Sequence, residues 1–445
     1  MDFSVVMSMI GLIGGLFLLI WLTLKGVNII IVGPASALFV AVFSGMPLFP
    51  QLAEEGAANF VTNYMSGFTG FIMSWYLMFL LGAVFGKVME DSGAADAVAQ
   101  FIVDKLGMKY ATLSIVIACA ILTYGGVSLF VVAFAVYPMA ISLFKQADLP
   151  RRFIPGTLAL GSVTFTMTSA GSPEIQNWIP MDYLETTPYA GWEVSLIVAA
   201  FMAIFGYWWL KRIIRKAVEN GERFVARETD PTHDSSRVLP NPIYSFIPLI
   251  VVLVISFIFH DSLKQSALIL ALLGGIIATF IVSWKYFKNP WDAVSQGTIG
   301  AIIAIGNTAA VVGFGGVAKA VPAFTFAVDA MTNIPGSPLI GAAVAVSVIA
   351  GMTGSASGGQ TIALPLIAPG YVDAGVNQEA LHRVVAISSG ALDSLPHNGY
   401  VVTTIQSICG EKHKDAYWAV AATTVATPVI GVVIAIILFS LGLGL

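Results

Sequence analysis

The fold of this chain is decided by residues 391–400, ALDSLPHNGY, which interrupt an apolar segment running from about residue 384 to 408. Asp393 and His397 stand where a membrane-spanning helix should present lipid-compatible side chains, and Pro396 removes a backbone donor. Non-helical backbone at membrane depth is tolerated only where it is buried in protein or lines a water-filled cavity, and an intramembrane charge costs roughly 2.5–3.5 kcal/mol. We therefore predict a broken helix with a functional polar site; the alternative is a polar kink satisfied by neighbouring helices.

A second polar break lies upstream, at residues 169–177, SAGSPEIQN, within the apolar segment 153–179. It again places a proline, hydroxyls, amides and one carboxylate, Glu174, inside a spanning segment. Small residues also recur between the two halves of the chain at one offset, since 354 − 125 = 229 for two glycines and 357 − 128 = 229 for two serines. The two breaks and this offset predict two related halves.

Composition places the chain among polytopic membrane proteins, because its 445 residues are 57% hydrophobic and 10% charged, with a mean hydropathy of +0.86. We therefore expect the lipid bilayer as its environment and no nucleic-acid partner. Residues 4–24 are predicted to be a first transmembrane helix, because no basic region or cleavage site marks a removed signal peptide. Cys119 and Cys409 have no metal-ligand spacing, so we expect no metal site, disulfide or cofactor.

The order of apolar segments predicts an all-α polytopic membrane protein made of two inverted repeats. Each repeat has five transmembrane helices, one of them broken, and one re-entrant hairpin, at 110–144 and 337–369. Residues 1–215 form the first repeat, 216–241 a cytoplasmic linker and 242–445 the second repeat. Short amphipathic helices at 94–106 and 321–331 are predicted at the interface. The predicted spans are 4–24, 27–46, 69–89, 153–179, 192–210, 242–260, 265–284, 295–318, 384–408 and 417–443.

The distribution of basic residues predicts an inner-membrane protein with both termini outside. On that topology all 21 Lys and Arg lie on the cytoplasmic side except Lys264, Lys319 and Arg383, as the positive-inside rule requires. The acids of the two breaks are then the only deep carboxylates, and His397 is the only deep histidine. No deep Lys or Arg is expected.

The tips of the two hairpins, Thr123–Ser128 and Thr353–Thr361, are small and rich in hydroxyl groups. We predict that they meet the two breaks at the membrane midplane, where exposed helix N-termini can hold a carboxylate without a basic side chain. Tight helix packing is the alternative role for these small residues. The predicted substrate-binding residues are Tyr124, Gly125, Gly126, Ser128, Ser172, Thr353, Ser355, Ser357, Gly358, Gly359 and Asn398.

The coupling ion is predicted to be a proton, with Asp393 as the main carrier and Glu174 and His397 as secondary groups. Burial disfavours the charged form of an acid, so a midplane carboxylate can load a proton outside and release it inside. Sodium is the alternative, because the backbone carbonyls of an unwound helix, together with Ser and Asn side chains, are suitable ligands for a hard cation. An intramembrane enzyme using Asp393 and His397 would be a different class, but the sequence has no HExxH motif, Gly-Asp protease motif or nucleophile elbow.

Three stretches of the chain suggest a family: residues 81–89, LGAVFGKVM; Ser92–Ala95, SGAA; and Gly354–Gly359, GSASGG. With the order of segments, they resemble the gluconate permease family, proton symporters of sugar acids and related hydroxy acids within a larger ion-transporter superfamily. The resemblance covers most of the chain. It implies two re-entrant hairpins, two unwound helices, a fixed scaffold, a moving elevator-type transport domain and a homodimer.

The stretch Tyr124-Gly125-Gly126 departs from the gluconate pattern, for which the resemblance implies a Glu after the Tyr. Members described as hydroxybutyrate permeases resemble the chain more closely. The resemblance therefore implies a small organic anion as substrate, a short hydroxy-monocarboxylate such as 3-hydroxybutyrate. A gluconate or sugar-acid permease and a sodium-coupled carboxylate transporter are the alternatives.

Overall fold

The computed structural model describes residues 3–107, 110–227, 230, 238–332 and 334–444. Within these ranges every regular element is a helix, which confirms the predicted all-α class. In the same part of the chain, eight helical segments are long and apolar enough to cross a membrane: Phe3–Thr23, Phe60–Asp91, Leu129–Gln146, Trp192–Glu219, Pro242–Leu263, Ser266–Tyr286, Pro290–Ala318 and His413–Ser440.

The first half of the described chain contains α1 Phe3–Leu24, α2 Ile29–Phe43, α3 Phe60–Asp91, α4 Ala94–Leu106, α5 Ala111–Tyr124, α6 Leu129–Gln146, α7 Ile154–Ala159, α8 Met181–Leu184 and α9 Trp192–Glu219. The second half contains α10 Pro242–Ser245, α11 Ile247–Leu263, α12 Ser266–Ser283, α13 Pro290–Ala318, α14 Pro322–Thr332, α15 Pro338–Thr353, α16 Ala356–Asp373, α17 Gln378–Leu392, α18 Gly399–Val402, α19 His413–Ala421 and α20 Thr427–Ser440.

Both predicted breaks are present. In the first, α7 continues as a π-helix over Leu160–Thr164 and regular helix then stops until a 3-10 turn at Ile175–Asn177. This break begins earlier than predicted, and at its start the Thr166 hydroxyl donates to the carbonyls of Gly161 and Ser162. In the second, α17 ends at Leu392 and α18 resumes at Gly399, leaving the Pro396 segment non-helical.

Helices α5 and α6 form one hairpin and α15 and α16 another, at the predicted places. Helix α6 has 18 residues and is long and apolar enough to cross a membrane by itself, which a re-entrant arm does not require. Whether the hairpins are re-entrant stays a prediction. Helix α4 has the predicted bounds, and its apolar residues Val98 and Ile102 are buried against the rest of the protein.

Helices α3 and α13 pack against each other more extensively than any other pair of described elements. Helix α2 also packs on α13, and α12 packs on α3. Glycines allow the backbones of α3 and α13 to approach closely. A Cβ atom at Gly67 would lie 2.7 Å from the Val312 carbonyl oxygen, and one at Gly316 would lie 2.3 Å from that of Asn63. Such small residues are typical of helix contacts in membranes, where no hydrophobic force drives helices together.

Helices at matching places in the two halves have matching neighbours. Helix α1 packs on α2 and α11 on α12; α2 packs on α13 and α12 on α3; α9 and α20 pack on each other. The relative orientation of the halves and their predicted boundaries at 215 and 242 stay predictions. Helix α9 extends to Glu219, into the predicted linker, of which residues 228, 229 and 231–237 lie outside the described part.

A buried charge cluster joins the linker to the ends of both broken helices. Arg151, just before α7, donates from Nε to Glu411 Oε1 at 2.8 Å and from Nη1 to Asp230 Oδ1 at 2.7 Å. Arg227 Nη2 lies 3.0 Å from the same Glu411 oxygen. The Arg151 and Glu411 side chains are only 7% and 6% exposed. We call Arg151, Arg227, Asp230 and Glu411 the linker cluster.

Glu411→Gln is expected to destabilise the protein by roughly 2–3 kcal/mol, because it removes the carboxylate that Arg151 and Arg227 share and leaves the buried Arg151 with Asp230 as its remaining acidic partner among the described residues. Glu222→Gln is the matched control. Its partner Arg152, 2.7 Å away, holds the pKa of Glu222 below its usual range, so this pair contributes at neutral pH and its contribution is lost as the pH falls through that lowered pKa. Because Glu222 is 38% exposed, we expect at most about 1 kcal/mol. Melting temperatures of the detergent-solubilised variants test this, and equal losses would contradict it.

Candidate functional site

A cavity of about 290 Å³ lies where the two hairpin turns meet the two breaks. Its wall contains residues of the α5–α6 turn, the α15–α16 turn, the first break and the second break, so the structure brings the four predicted segments together. Ligand pockets usually begin near about 300 Å³, so this cavity suits a small ligand.

Nine of the fourteen predicted site residues lie in the cavity wall, and five do not. Those in the wall are Gly126, Ser128, Glu174, Thr353, Ser355, Ser357, Asp393, His397 and Asn398. Those outside it are Tyr124, Gly125, Ser172, Gly358 and Gly359.

The five residues outside the wall have contacts within the protein. The Tyr124 hydroxyl donates to the Ala170 carbonyl, and Tyr124 and Gly125 line a separate apolar groove of about 870 Å³ between α5, α9 and α11. The Ser172 carbonyl accepts from two side chains, the Gly358 N–H donates to Ser355 Oγ, and a Cβ atom at Gly359 would lie 2.5 Å from the Ala350 backbone. These contacts within the protein agree with the alternative stated for the small residues of the hairpin tips, which is tight helix packing.

The N-termini of two long helices lie in the cavity wall. Helix α16 begins there because Ser355 caps it, with its Oγ accepting from the Gly358 N–H at 3.1 Å, and because Gly354 adopts a left-handed φ of 59°. Helix α6 begins at the wall residues Ser128 and Leu129. Free N–H groups and the helix dipole make each N-terminus favourable for an anion.

The second break contributes an acid, an imidazole and an amide. Asp393 is 4% exposed, accepts from Ser394 Oγ at 3.0 Å, and forms no ion pair within the described residues. His397 is equally buried, and its Nε2 has no hydrogen-bond partner there. Asn398 donates from Nδ2 to the Gly354 carbonyl at 3.0 Å and accepts from the Val401 N–H, so it ties the break to the second hairpin.

The first break places Glu174 in the cavity wall, with its N–H donating to Ser172 Oγ at 3.3 Å. In the described part of the chain, no hydrogen bond or ion pair involves its carboxylate. Two carboxylates from the two breaks therefore line one cavity, and no described residue of its wall is a Lys or Arg.

The expectation that no Lys or Arg is deeply buried is wrong. Helix α17 begins at Gln378, so Arg383 lies inside the helix and not in an outer loop, and it is 0% exposed. Its guanidinium lies behind the first break, outside the cavity wall. It donates to the carbonyls of Thr168, Pro188 and Ala190 and to Asn177 Oδ1.

The expectation that His397 is the only deeply buried histidine is also wrong. His382 is 0% exposed, with its Nδ1 2.6 Å from Thr186 Oγ1. The helix start at Gln378 buries this residue as well.

Six polar wall residues were missed by the sequence predictions: Gln176, Ser394, Tyr400, Asn307, Thr308 and Thr23. The first three lie inside the quoted breaks. Asn307 and Thr308 are adjacent polar residues within the apolar α13, which was the available signal, and Thr23 lies near the end of α1. Within the described residues, no group of three or more His, Cys, Asp or Glu could hold a metal ion.

Comparison with known proteins assigns the family. Residues 3–442 match the model of the GntP family permease. The chain belongs to the GntP permease family. This permease is 34% identical to YxjC, an uncharacterized transporter of Bacillus subtilis (strain 168), over 97% of this chain and 98% of that one. It is 30% identical to the high-affinity gluconate transporter of Escherichia coli (strain K12), over 33% and 30% of the two chains.

Two solved transporters share the fold of this GntP permease. The YdaH transporter of Alcanivorax borkumensis aligns with a TM-score of 0.51 and 12% identity, over 96% of this chain and 98% of that one. MtrF of Neisseria gonorrhoeae, from a class of antimetabolite efflux pumps, aligns with a TM-score of 0.51 and 15% identity, over 96% and 95%. The family match and the eight candidate spans of the described residues make the permease a multi-pass membrane transporter, which confirms the predicted family at this level. The hydroxybutyrate branch stays a prediction.

Proposed function

We propose that this GntP permease imports a short hydroxy-monocarboxylate of the 3-hydroxybutyrate type, by proton symport across the inner membrane. The main support is the cavity, whose wall has two helix N-termini, hydroxyl groups and two carboxylates, without a Lys or Arg among its described residues. An anion can be bound there by N–H groups of α6 and α16, and the added negative charge is balanced by a proton on an acid of the breaks.

The apolar part of the lining favours a short substrate over a sugar acid. Met78, Phe79, Leu268 and Leu272 give the wall this apolar part. It suits the methyl end of a hydroxybutyrate and would leave any gluconate hydroxyl that faces it without a partner. The alternative, a gluconate permease, is supported by the partial match to the Escherichia coli gluconate transporter.

The same cavity supports an elevator mechanism. One side of its wall comes from α1, α2, α3, α12 and α13, and the other comes from the hairpins and the breaks. In this proposal the hairpins and breaks move together against the other helices and take the bound substrate with them. The proposal includes a homodimer, which is supported only by the family resemblance.

Counterflow in proteoliposomes tests the substrate. Proteoliposomes that contain the purified permease and are preloaded with unlabelled 3-hydroxybutyrate should accumulate labelled 3-hydroxybutyrate transiently. Preloaded liposomes without protein should not. Competing 2-hydroxybutyrate should inhibit more strongly than gluconate, and the recovered label should be chemically unchanged. Exchange of gluconate without exchange of any short hydroxy acid would establish the alternative.

A further inference from the structure

The side chain of Gln176 is an unpartnered amide in the cavity wall. Gln176 is only 8% exposed, and its Oε1 is enclosed without a hydrogen-bond partner. No hydrogen bond in the described part of the chain involves either polar atom of this side chain. A buried amide without partners is costly, so its retention at a cavity indicates a ligand that supplies them.

The backbone around Gln176 is held rigidly. Its carbonyl oxygen accepts from Gln360 Nε2 at 3.0 Å, and the same nitrogen donates to Ser389 Oγ at 3.0 Å. The next residue, Asn177, donates to the Pro188 carbonyl at 2.8 Å and accepts from Arg383 at 2.8 Å. The first break, the second hairpin and α17 therefore fix the backbone that carries the Gln176 side chain before any ligand binds.

Three other polar side chains of the wall, those of Asn398, Thr308 and Thr353, are engaged within the protein. Both polar atoms of the Asn398 amide are hydrogen-bonded, to Gly354 and Val401. The hydroxyls of Thr308 and Thr353 donate to carbonyls of their own helices. Gln176 differs from these three residues because neither polar atom of its amide has a partner within the described residues.

We propose that the Gln176 amide pairs with the hydroxyl group of the substrate and is a specificity-determining residue. This inference is based on the proposed function, in which the N-termini of α6 and α16 bind the carboxylate. A hydroxyl group both donates and accepts, as the free amide does, and a neutral amide does not repel the substrate carboxylate. Gln176 then selects hydroxy acids over fatty acids of the same length.

The test compares 3-hydroxybutyrate with butyrate, which lacks the hydroxyl, as inhibitors of counterflow by the full-length protein. Wild type should bind 3-hydroxybutyrate roughly 10- to 100-fold more tightly than butyrate. Gln176→Met keeps the side-chain volume and removes the amide. The ratio of the affinity for 3-hydroxybutyrate to the affinity for butyrate should therefore fall to about three or less, because the hydroxy acid binds more weakly. Gln146→Met, the same change at an exposed residue near the end of α6, should keep the wild-type ratio.

The ratio is measured within one preparation, so a lower yield of folded protein does not alter it. If Gln176→Met exchanges too slowly, the shifts in melting temperature caused by the two acids give the same ratio. A wild-type ratio in Gln176→Met, or a wild type that does not distinguish the two acids, would overturn this inference and leave the proposed function standing. A wild type that exchanges no short hydroxy acid would overturn both.

Discussion

Replacing Asp393 with Asn is expected to abolish proton-driven accumulation of substrate while counterflow continues. Asp393 is 4% exposed, has one hydrogen bond from Ser394, and forms no ion pair with the described residues. In the proposed mechanism, a proton neutralises this carboxylate during the crossing. Asn has the same shape as the protonated acid but cannot release a proton. Substrate exchange should therefore persist, whereas accumulation of substrate against its gradient should be lost.

The measurement uses two imposed gradients. Wild type should concentrate 3-hydroxybutyrate on a pH gradient without sodium and should fail on a sodium gradient without a pH gradient. Asp393→Asn should only equilibrate the substrate in both cases. Asp261→Asn, at an exposed acid near the end of α11, is the matched control and should behave as wild type. Sodium-dependent uptake that ignores the pH gradient, or accumulation by Asp393→Asn on a pH gradient, would refute the assignment.

The secondary coupling groups should have smaller effects. Glu174→Gln and His397→Asn are expected to lower the accumulation ratio without eliminating it, because Asp393 remains. Both residues lie in the same cavity wall as Asp393. The same two-gradient assay measures accumulation by both variants. Complete loss of accumulation in Glu174→Gln would make Glu174 the main proton carrier in place of Asp393.

Replacing Arg383 with Met should remove most of the folded protein. The guanidinium is 0% exposed and donates to oxygens of Thr168, Asn177, Pro188 and Ala190, so its loss leaves four acceptors without this donor. Hydrogen bonds to a charged group contribute roughly 1.5–3 kcal/mol each in soluble proteins and about 0.6 kcal/mol for typical bonds between membrane helices. Four such bonds total about 2 kcal/mol at the membrane value and about 6–12 kcal/mol at the soluble value, against a usual stability of roughly 5–15 kcal/mol.

Arg383→Lys should be intermediate, because one ammonium keeps the charge but cannot reach four oxygens arranged around a planar guanidinium. Size-exclusion yield and melting temperature in detergent measure both variants. Lys319→Met is the control, since Lys319 is an exposed basic residue that the sequence also placed outside. A melting temperature of Arg383→Met close to that of wild type would show that these hydrogen bonds do not stabilise the fold.

Several features of this protein were determined by the sequence alone. Pro396 and the polar residues around it are incompatible with a continuous spanning helix, so the second break could be predicted with its position. Gly93 and Gly107, both with left-handed φ angles, enclose an amphipathic run, and α4 accordingly has the predicted bounds. Helix periodicity and backbone chemistry are local properties, which is why these predictions succeeded.

The orientation of the polar groups depends on contacts between segments that are distant in the sequence. The sequence could not show that Gln176 lies in the cavity wall while the neighbouring Ser172 is enclosed by Asn177 and Trp178. It also placed Arg383 in an outer loop, whereas its guanidinium is buried and donates to the carbonyls of Thr168 in the first break and Ala190 before α9. A non-helical break has no periodic face, so the side on which each residue points is set by the distant segments that satisfy its hydrogen bonds.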